Sequence, residues 1–281
     1  MDGEGKVNLV LQGPSLLPAQ VEHLARLSRA SAVEDIHDKA FRLRDAKRVD
    51  VEAYCLETKI DYAWIPEGRR FADLKLLAMD MDSTLITIEC IDELGDFAGK
   101  KAEVAAITAQ AMRGELDYPA SLRKRVSVLK DLSEGVLERV YAERLCLTPG
   151  AERLIAECKD HGVKLLLVSG GFTFFTGRLK ERLAIDYTIS NTLEIRDGKL
   201  TGQVVGEIVD ADAKAAKFRA VLKELNASRE QSVAIGDGAN DLKMMAEAGL
   251  SIAFRAKPVV RAQASCALNF SGLDAVVNLF E

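Results

Sequence analysis

Two aspartates one residue apart, Asp80-Met81-Asp82, followed by Ser83-Thr84, stand at the end of the apolar run Leu74 to Met79. A second apolar run, Val163 to Val168, ends in Ser169-Gly170-Gly171. A third, Ser232 to Ile235, ends in Gly236-Asp237-Gly238-Ala239-Asn240-Asp241. Lys214 lies in Asp212-Ala213-Lys214, where a helical pattern begins. Each piece has an ordinary explanation taken alone. Asp, Ser and Thr favour turns and helix caps, and a surface lysine is far commoner than a functional one. Together they describe a chemical site. Carboxylates gathered in one crevice repel one another unless a cation sits among them. Oxygen-only donors, without Cys or His, select a hard ion such as Mg²⁺. A metal, a lysine and backbone amides form a pocket for phosphate. A carboxylate beside a second carboxyl group can act as a nucleophile, so the chemistry implied is phosphoryl transfer through an aspartyl phosphate.

The elements that must carry these groups follow from the hydropathy pattern. The three apolar runs suit strands buried on both faces of a parallel sheet. Helical patterns precede them at Ala151 to Asp160 and Ala213 to Leu225, and follow them at Phe172 to Leu183 and Asn240 to Ala248. This alternation predicts a doubly wound α/β sheet, with ligands outside the carboxyl ends of the strands, so Asp80, Ser169 and Asp237 should converge. Between Glu89 and Glu143 the pattern is helical, with Val104 to Met112 and Tyr118 to Leu129 separated by a break at Gly114. That is too long for a simple connection and predicts a cap over the crevice. Asp197-Gly198, between Thr192-Leu193-Glu194-Ile195 and Leu200 to Val205, predicts a two-residue hairpin.

Residues 1–73 form a separate pattern: a strand at Val7 to Leu11, a helix from Pro18 to Leu27, a strand around Lys39 to Leu43, a helix from Val49 to about Lys59 and a closing strand at Asp61 to Ile65. Pro66 to Arg70 resembles a linker, and nothing in this segment suggests chemistry. A chain of 281 residues with 48% hydrophobic residues accommodates two such units. Its 43 acidic against 38 basic residues, a net charge of −5, argue against nucleic acid as a partner. No run reaches the ~18 apolar residues of a membrane span. The polar start, Met1 to Lys6, lacks a leader's apolar segment, so the expected location is the cytoplasm. Five scattered cysteines and three scattered histidines argue against a disulfide framework, a zinc site or a histidine triad.

Asp80-x-Asp82-x-Thr84, Ser169, Lys214 and Gly236-Asp237-Gly238-x-Asn240-Asp241, in this order, resemble the four motifs of the haloacid dehalogenase-like phosphohydrolases. Glu89-Cys90-Ile91-Asp92-Glu93, Ser121 to Val126 and Ser169-Gly170-Gly171-Phe172 are similar to its phosphoserine-hydrolysing branch, from Leu74 to the C-terminus with the cap included. The resemblance implies a fold of 74–281 with a helical cap at about 88–145, preceded by a small α+β, ACT-like unit at 1–73. It implies hydrolysis of phosphoserine, the last step of serine biosynthesis. Asp80 would be the nucleophile and Asp82 the general acid and base. Mg²⁺ would be held by Asp80, the Asp82 carbonyl and Asp237. Ser169, the Gly170 amide and Lys214 would bind the phosphoryl group. Asn240 would help fix the phosphate or Lys214, and Asp241 would support from behind. Arg125 would take the substrate's carboxylate and Glu89 its ammonium group, with Arg123 and Lys124 facing solvent. Met112 and Tyr118 would shield the site. Met81 and Tyr118 depart from the family's usual aromatic and Phe at those positions. Phosphohomoserine or another small phosphate stays open as substrate, as does a catalytically silent regulatory module. The N-terminal unit admits a homodimer by sheet extension.

Overall fold

Two sheets of opposite character account for the change of pattern near Leu74. The computed structural model describes residues 6–281; most of the polar start, Met1 to Gly5, lies outside the described residues. The first sheet is built by β1 (Val7–Gln12), α1 (Pro18–Leu27), β2 (Ala32–His37), β3 (Ala40–Arg44), α2 (Glu52–Glu57) and β4 (Asp61–Pro66). Its strands run antiparallel in the order β2-β3-β1-β4, the arrangement of a ferredoxin-like βαββαβ unit. Successive residues of a strand face opposite ways. Leu9 and Leu11 therefore pack with Val21, Leu24 and Leu43 beneath the two helices, while Val10, Ala63 and Ile65 face the larger core. The strand β2 has no counterpart in the expected pattern. Its sequence, Ala-Val-Glu-Asp-Ile-His, carries no buried face because it is the exposed edge. The helix expected over Val49 to Lys59 is shorter at both ends.

The second sheet has β5 (Leu76–Asp80) at its centre. Four cap helices follow it: α3 (Cys90–Phe97), α4 (Lys101–Met112), α5 (Tyr118–Val128) and α6 (Gly135–Glu143). The chain returns through α7 (Ala151–Asp160), β6 (Lys164–Phe172), α8 (Thr173–Leu183), β7 (Tyr187–Arg196) and β8 (Lys199–Val205). It finishes with α9 (Ala211–Glu224), β9 (Ser232–Gly236), α10 (Leu242–Glu247), β10 (Leu250–Phe254), α11 (Pro258–Arg261) and β11 (Cys266–Leu268). The order is β11-β10-β9-β5-β6-β7-β8, parallel except for the β7–β8 hairpin. The chain steps from β5 to β6 on one side and returns to β9 on the other, so a topological switch point lies at the tip of β5. The continuous apolar runs divide by alternation. Leu77, Met79, Leu165, Leu167, Val233 and Ile235 join the core beneath α7 and α8, whereas Leu76, Ala78, Leu166, Val168 and Ala234 pack beneath α9 and α10. Asp197 and Gly198 both have positive φ, 51° and 73°, as a type I′ hairpin turn requires. The legs of the cap meet where Ile86 bridges Leu147. Among the described residues no helix is long and apolar enough to cross a membrane.

Two further expected boundaries differ, both in the unit built on the second sheet. The strand ending at Val168 continues through Ser169-Gly170-Gly171 to Phe172. Val168 pairs with Ile189 and Phe172 with Asn191, so four steps along β6 face two along β7, and the Ser-Gly-Gly segment is a bulge rather than a turn. The helix expected from Asn240 begins instead as a tight 3₁₀ turn, Ala239–Asp241, ahead of α10.

Buried polar groups tie the two sheets together. The Asp61 carboxylate, on β4, accepts the backbone N–H groups of Asn269 (2.6 Å), Phe270 (3.1 Å) and Ser271 (2.8 Å). Arg42 is buried and donates to the carbonyls of Asn278 and Phe280. Asp61→Ala would leave those amides without their acceptor, so stability should fall by about 2–3 kcal/mol. Trp64, the chain's one tryptophan, sits on the same strand, so its fluorescence during urea unfolding should report an earlier transition.

Candidate active site

Register brings the predicted residues together. Asp80 pairs with Val168 across β5 and β6, which puts Ser169 one step beyond. Met79 pairs with Ile235, so Asp237 follows just past the tip of β9. Beyond Asp80 the chain stays extended at Asp82 (φ −68°, ψ 136°) and turns left-handed at Ser83 (φ 56°). Both side chains reach the crevice, Asp80 meeting Lys214 and Asp82 meeting Ser169. The loop is closed by Ile86 N–H donating to Met81 O (3.0 Å) and Ser83 N–H donating to Ile88 O (3.2 Å). The Asp82 carboxylate accepts the Cys90 N–H (2.8 Å) at the N-terminus of α3 and the Ser169 hydroxyl (3.3 Å). Thr84 is fully buried, and its hydroxyl has no hydrogen-bond partner among the described residues.

Lys214 is not a surface lysine. It is 1% exposed, and its ammonium group donates to Asp80 and to Asp241 (2.7 Å). It is carried on the second turn of α9, whose N-terminus is capped by Asp210 through Ala213 N–H (2.9 Å). Burial disfavours the ammonium charge, but the two carboxylates outweigh it and raise the Lys214 pKa, so the lysine stays charged. Asp241 also accepts the Gly238 N–H (3.1 Å). Asp241 thus grips Lys214 directly, while Asn240 sits half-buried in the same tight turn, Ala239–Asp241.

The remaining charge balance is negative. Burial pushes the Asp80 carboxyl well above the usual range; Lys214 opposes this, while Asp241, Asp82 and Asp237 add to it. Burial, with Asp241 beside it, raises Asp237 to about 6. Glu89 keeps contact with solvent at the crevice rim, yet the surrounding protein and the charge of Asp82 push it up to about 7. Oxygens of Asp80, Asp237 and Asp241 lie within 4.8 Å of one another. Since Lys214 and Gly238 engage both oxygens of Asp241, Asp80 and Asp237 are the side chains left to hold an ion. The Asp82 carboxylate is likewise engaged, which leaves its carbonyl. An all-oxygen set with excess negative charge fits a hard divalent cation.

The cap contributes the rest. On α5, Arg123 and Lys124 are exposed, whereas Arg125 is half-buried and its Nε is buried without a hydrogen-bond partner among the described residues. Glu89 precedes α3 and accepts the Ser83 hydroxyl (2.6 Å). Tyr118 reaches the site, donating its hydroxyl to Gly170 O (3.1 Å). Met112 ends α4 and is 69% exposed, so unlike the half-buried Tyr118 it is not packed against the crevice. Asn191 is a site residue that the sequence reading missed. It is buried, donates to Gly170 O (2.8 Å) and accepts the Val209 N–H (2.8 Å). A polar residue within an otherwise apolar-facing strand was the available signal.

A model of the haloacid dehalogenase-like hydrolases matches residues 77–246, and one of a domain of unknown function matches residues 9–51. The chain is 56% identical over 215 residues to the phosphoserine phosphatase of a Polaromonas species, covering 75% of this chain and 91% of that one. It is similar to the crystal structure of a probable phosphoserine phosphatase from Vibrio cholerae, with a TM-score of 0.83 and 41% identity over 99% of this chain and 87% of that one. A structure described as a phospho-aspartyl intermediate analogue of phosphoserine phosphatase aligns with a TM-score of 0.70 and 42% identity, over 74% of this chain and 99% of that one.

Removing the Lys214 charge should be costly. Lys214→Met would leave Asp80 and Asp241 without their counter-ion, and stability at pH 8 should fall by about 3–5 kcal/mol. In the parent, the lysine's raised pKa means its contribution is fully present below the ordinary lysine value and is lost only in strong alkali. In the variant, Asp80 rises further; a raised carboxyl is a cost above its unfolded pKa that is relieved as pH falls. Urea unfolding should therefore show a smaller deficit at pH 5 than at pH 8.

Proposed function

The chain belongs to the haloacid dehalogenase-like hydrolases, and from that premise we propose that it hydrolyses O-phospho-L-serine to L-serine and phosphate through a phosphoaspartyl intermediate. The observation that carries this reading is a pair of carboxyl groups at one strand tip, Asp80 braced by Lys214 and Asp82 beside it, beneath a cap offering Glu89 and Arg125. Residues 74–281 would form the phosphatase, with its cap at about 88–145, and residues 1–73 an accessory unit. The product would close serine biosynthesis.

In the proposed reaction an Asp80 oxygen attacks phosphorus, forming the acyl phosphate as the bond to the serine oxygen breaks. Asp82 gives that oxygen its proton. Burial raises Asp82, while the Cys90 amide and the Ser169 hydroxyl hold it back. Burial raises Asp80 too, and the Lys214 ammonium opposes that rise, so the proposed division, with the proton on Asp82 and the charge on Asp80, rests on the lysine contact at Asp80. Water then attacks phosphorus, Asp82 takes a proton from it, and Asp80 leaves as the carboxylate. Ser169, the Gly170 amide and Lys214 bind the phosphoryl oxygens, with Asn240 nearby, and the fixed Lys214 charge needs no reorganisation during the reaction. Mg²⁺, held by Asp80, Asp237 and the Asp82 carbonyl, would supply positive charge toward the same oxygens. Arg125 would pair with the substrate carboxylate through its fork of N–H groups, and Glu89 would accept the ammonium group, which also relieves its own raised pKa.

Phosphate release should be far faster from phosphoserine than from simple sugar phosphates, and Arg125→Ala should raise KM for phosphoserine roughly 10-fold to 100-fold. Asp80→Asn should abolish turnover, and rapid-quench mass spectrometry of the parent should find the phosphoryl mass on the Asp80 peptide. Equal rates on every monoester would reject the roles given to Arg125 and Glu89.

Chelation should remove activity and Mg²⁺ restore it. Because Asp237 holds its proton below about 6, an arriving ion must displace that proton at lower pH. The apparent affinity for Mg²⁺ should therefore weaken as pH falls through about 6, by up to roughly tenfold per pH unit. Magnesium titrations between pH 5 and pH 8 measure this directly.

A further inference from the structure

The helix α5 is fastened at its two ends in different ways. Just beyond its C-terminal end the cap is held to the β7–β8 hairpin by backbone bonds: Asp131 N–H to Leu200 O (2.9 Å), Leu200 N–H to Leu132 O (2.8 Å) and Glu134 N–H to Gly198 O (2.9 Å). At the N-terminal end the hydrogen bond to the crevice is made by one side chain, the Tyr118 hydroxyl on Gly170 O (3.1 Å).

The peptide between Gly170 and Gly171 is held from both sides. Its oxygen accepts Tyr118 from the cap and Asn191 from the sheet. Its N–H donates to Ser169 Oγ (2.8 Å), whose hydroxyl in turn donates to Asp82 (3.3 Å). A continuous hydrogen-bonded path therefore runs from the cap to the second aspartate. The space around the peptide is tight. A Cβ at 170 would collide with the Tyr118 hydroxyl, and one at 171 would crowd the Asp82 carboxylate and the Met81 side chain. Burial pushes the Tyr118 phenol up to about 12, so it remains a donor throughout the neutral range.

We propose that Tyr118 is a positioning residue: its hydroxyl latches the N-terminal end of α5 onto the Gly170 carbonyl when the cap closes, and so fixes the peptide that aims the Ser169 hydroxyl at Asp82. This rests on the reading of the crevice as the phosphoserine site. A single neutral hydrogen bond shifts a closed-to-open balance by roughly threefold to tenfold, and apparent affinity follows the closed fraction.

Tyr118→Phe is the decisive variant. It removes one oxygen and keeps the ring, and Gly170 O retains Asn191 as donor, so no carbonyl is stranded. The expected result is a KM for phosphoserine raised roughly threefold to tenfold, with the loss falling on KM more than on kcat. Hydrogen–deuterium exchange of the unliganded protein should be faster in the first turns of α5 and unchanged in β5 and β9. Tyr118→Leu, which removes the ring as well, should raise KM further. Parent-like KM and α5 exchange in Tyr118→Phe would overturn the latch. Exchange that rises equally in β5 and β9 would also overturn it, because that marks general loosening. A parent protein inert toward phosphoserine would sink the functional reading instead, while the exchange comparison would still judge the latch.

Discussion

The pairing of Lys214 with Asp80 and Asp241 is the constraint on which the site depends. An ammonium group this deep is tolerable only if it meets negative charge, and carboxylates this deep only if they meet positive charge. The three groups come from α9, the tip of β5 and the turn after β9. Their mutual requirement holds those elements together at the switch point of the sheet. One lysine does not balance the pocket, since Asp82, Asp237 and Glu89 add further negative charge. The surplus makes the crevice receptive to a divalent cation and to the ammonium end of an amino acid. A doubly charged phosphate could enter only with such cations present, so charge balance links metal, substrate and lysine in one argument.

Around that cluster the backbone departs from regular structure wherever side chains must be re-aimed. The left-handed Ser83 turns the chain so that Asp82 meets both the first turn of α3 and Ser169. The bulge at 169–171 adds two residues to β6 and brings the Ser169 hydroxyl, rather than another apolar side chain, to the crevice. These irregularities are held by named bonds on both sides, so they position groups without loosening the strand. The cap then closes the crevice from above with contacts of unequal strength: backbone pairing to the hairpin at one end, side chains at the other.

The N-terminal unit is bound to the rest by buried polar contacts rather than by a continuous sheet. Asp61 serves the amides at 269–271, and Arg42 serves the carbonyls of the C-terminal segment. Such contacts are specific because leaving either partner unmatched is expensive, whereas an apolar face could slide. The alternation within β1 has the same meaning. One face, Leu9 and Leu11, is apolar and covers the unit's own helices, whereas the other sets Val10 in the larger core between the buried Asn8 and Gln12, which bond Glu281 and Asn278 of the C-terminal segment.

Much of this was legible in the chain alone. The three apolar runs identified the strands whose tips carry Asp80, Ser169 and Asp237, the helical spacing between Glu89 and Glu143 identified the cap, and Asp197-Gly198 identified its hairpin turn. These features are local, set by side-chain period and turn chemistry over a few residues. What only the tertiary structure decided is non-local. Lys214 and Asp80 are 134 positions apart, and nothing near Lys214 announces that it is buried. The exposed edge strand β2 lacks the buried face that pattern reading detects. Past the bulge at 169–171 Phe172 resumes pairing with Asn191, and the Asn191 side chain shares the Gly170 carbonyl with Tyr118, which arrives from the cap. Local propensity determines which elements form, but whether a charge is buried, and which partner satisfies it, depends on groups that only folding brings together.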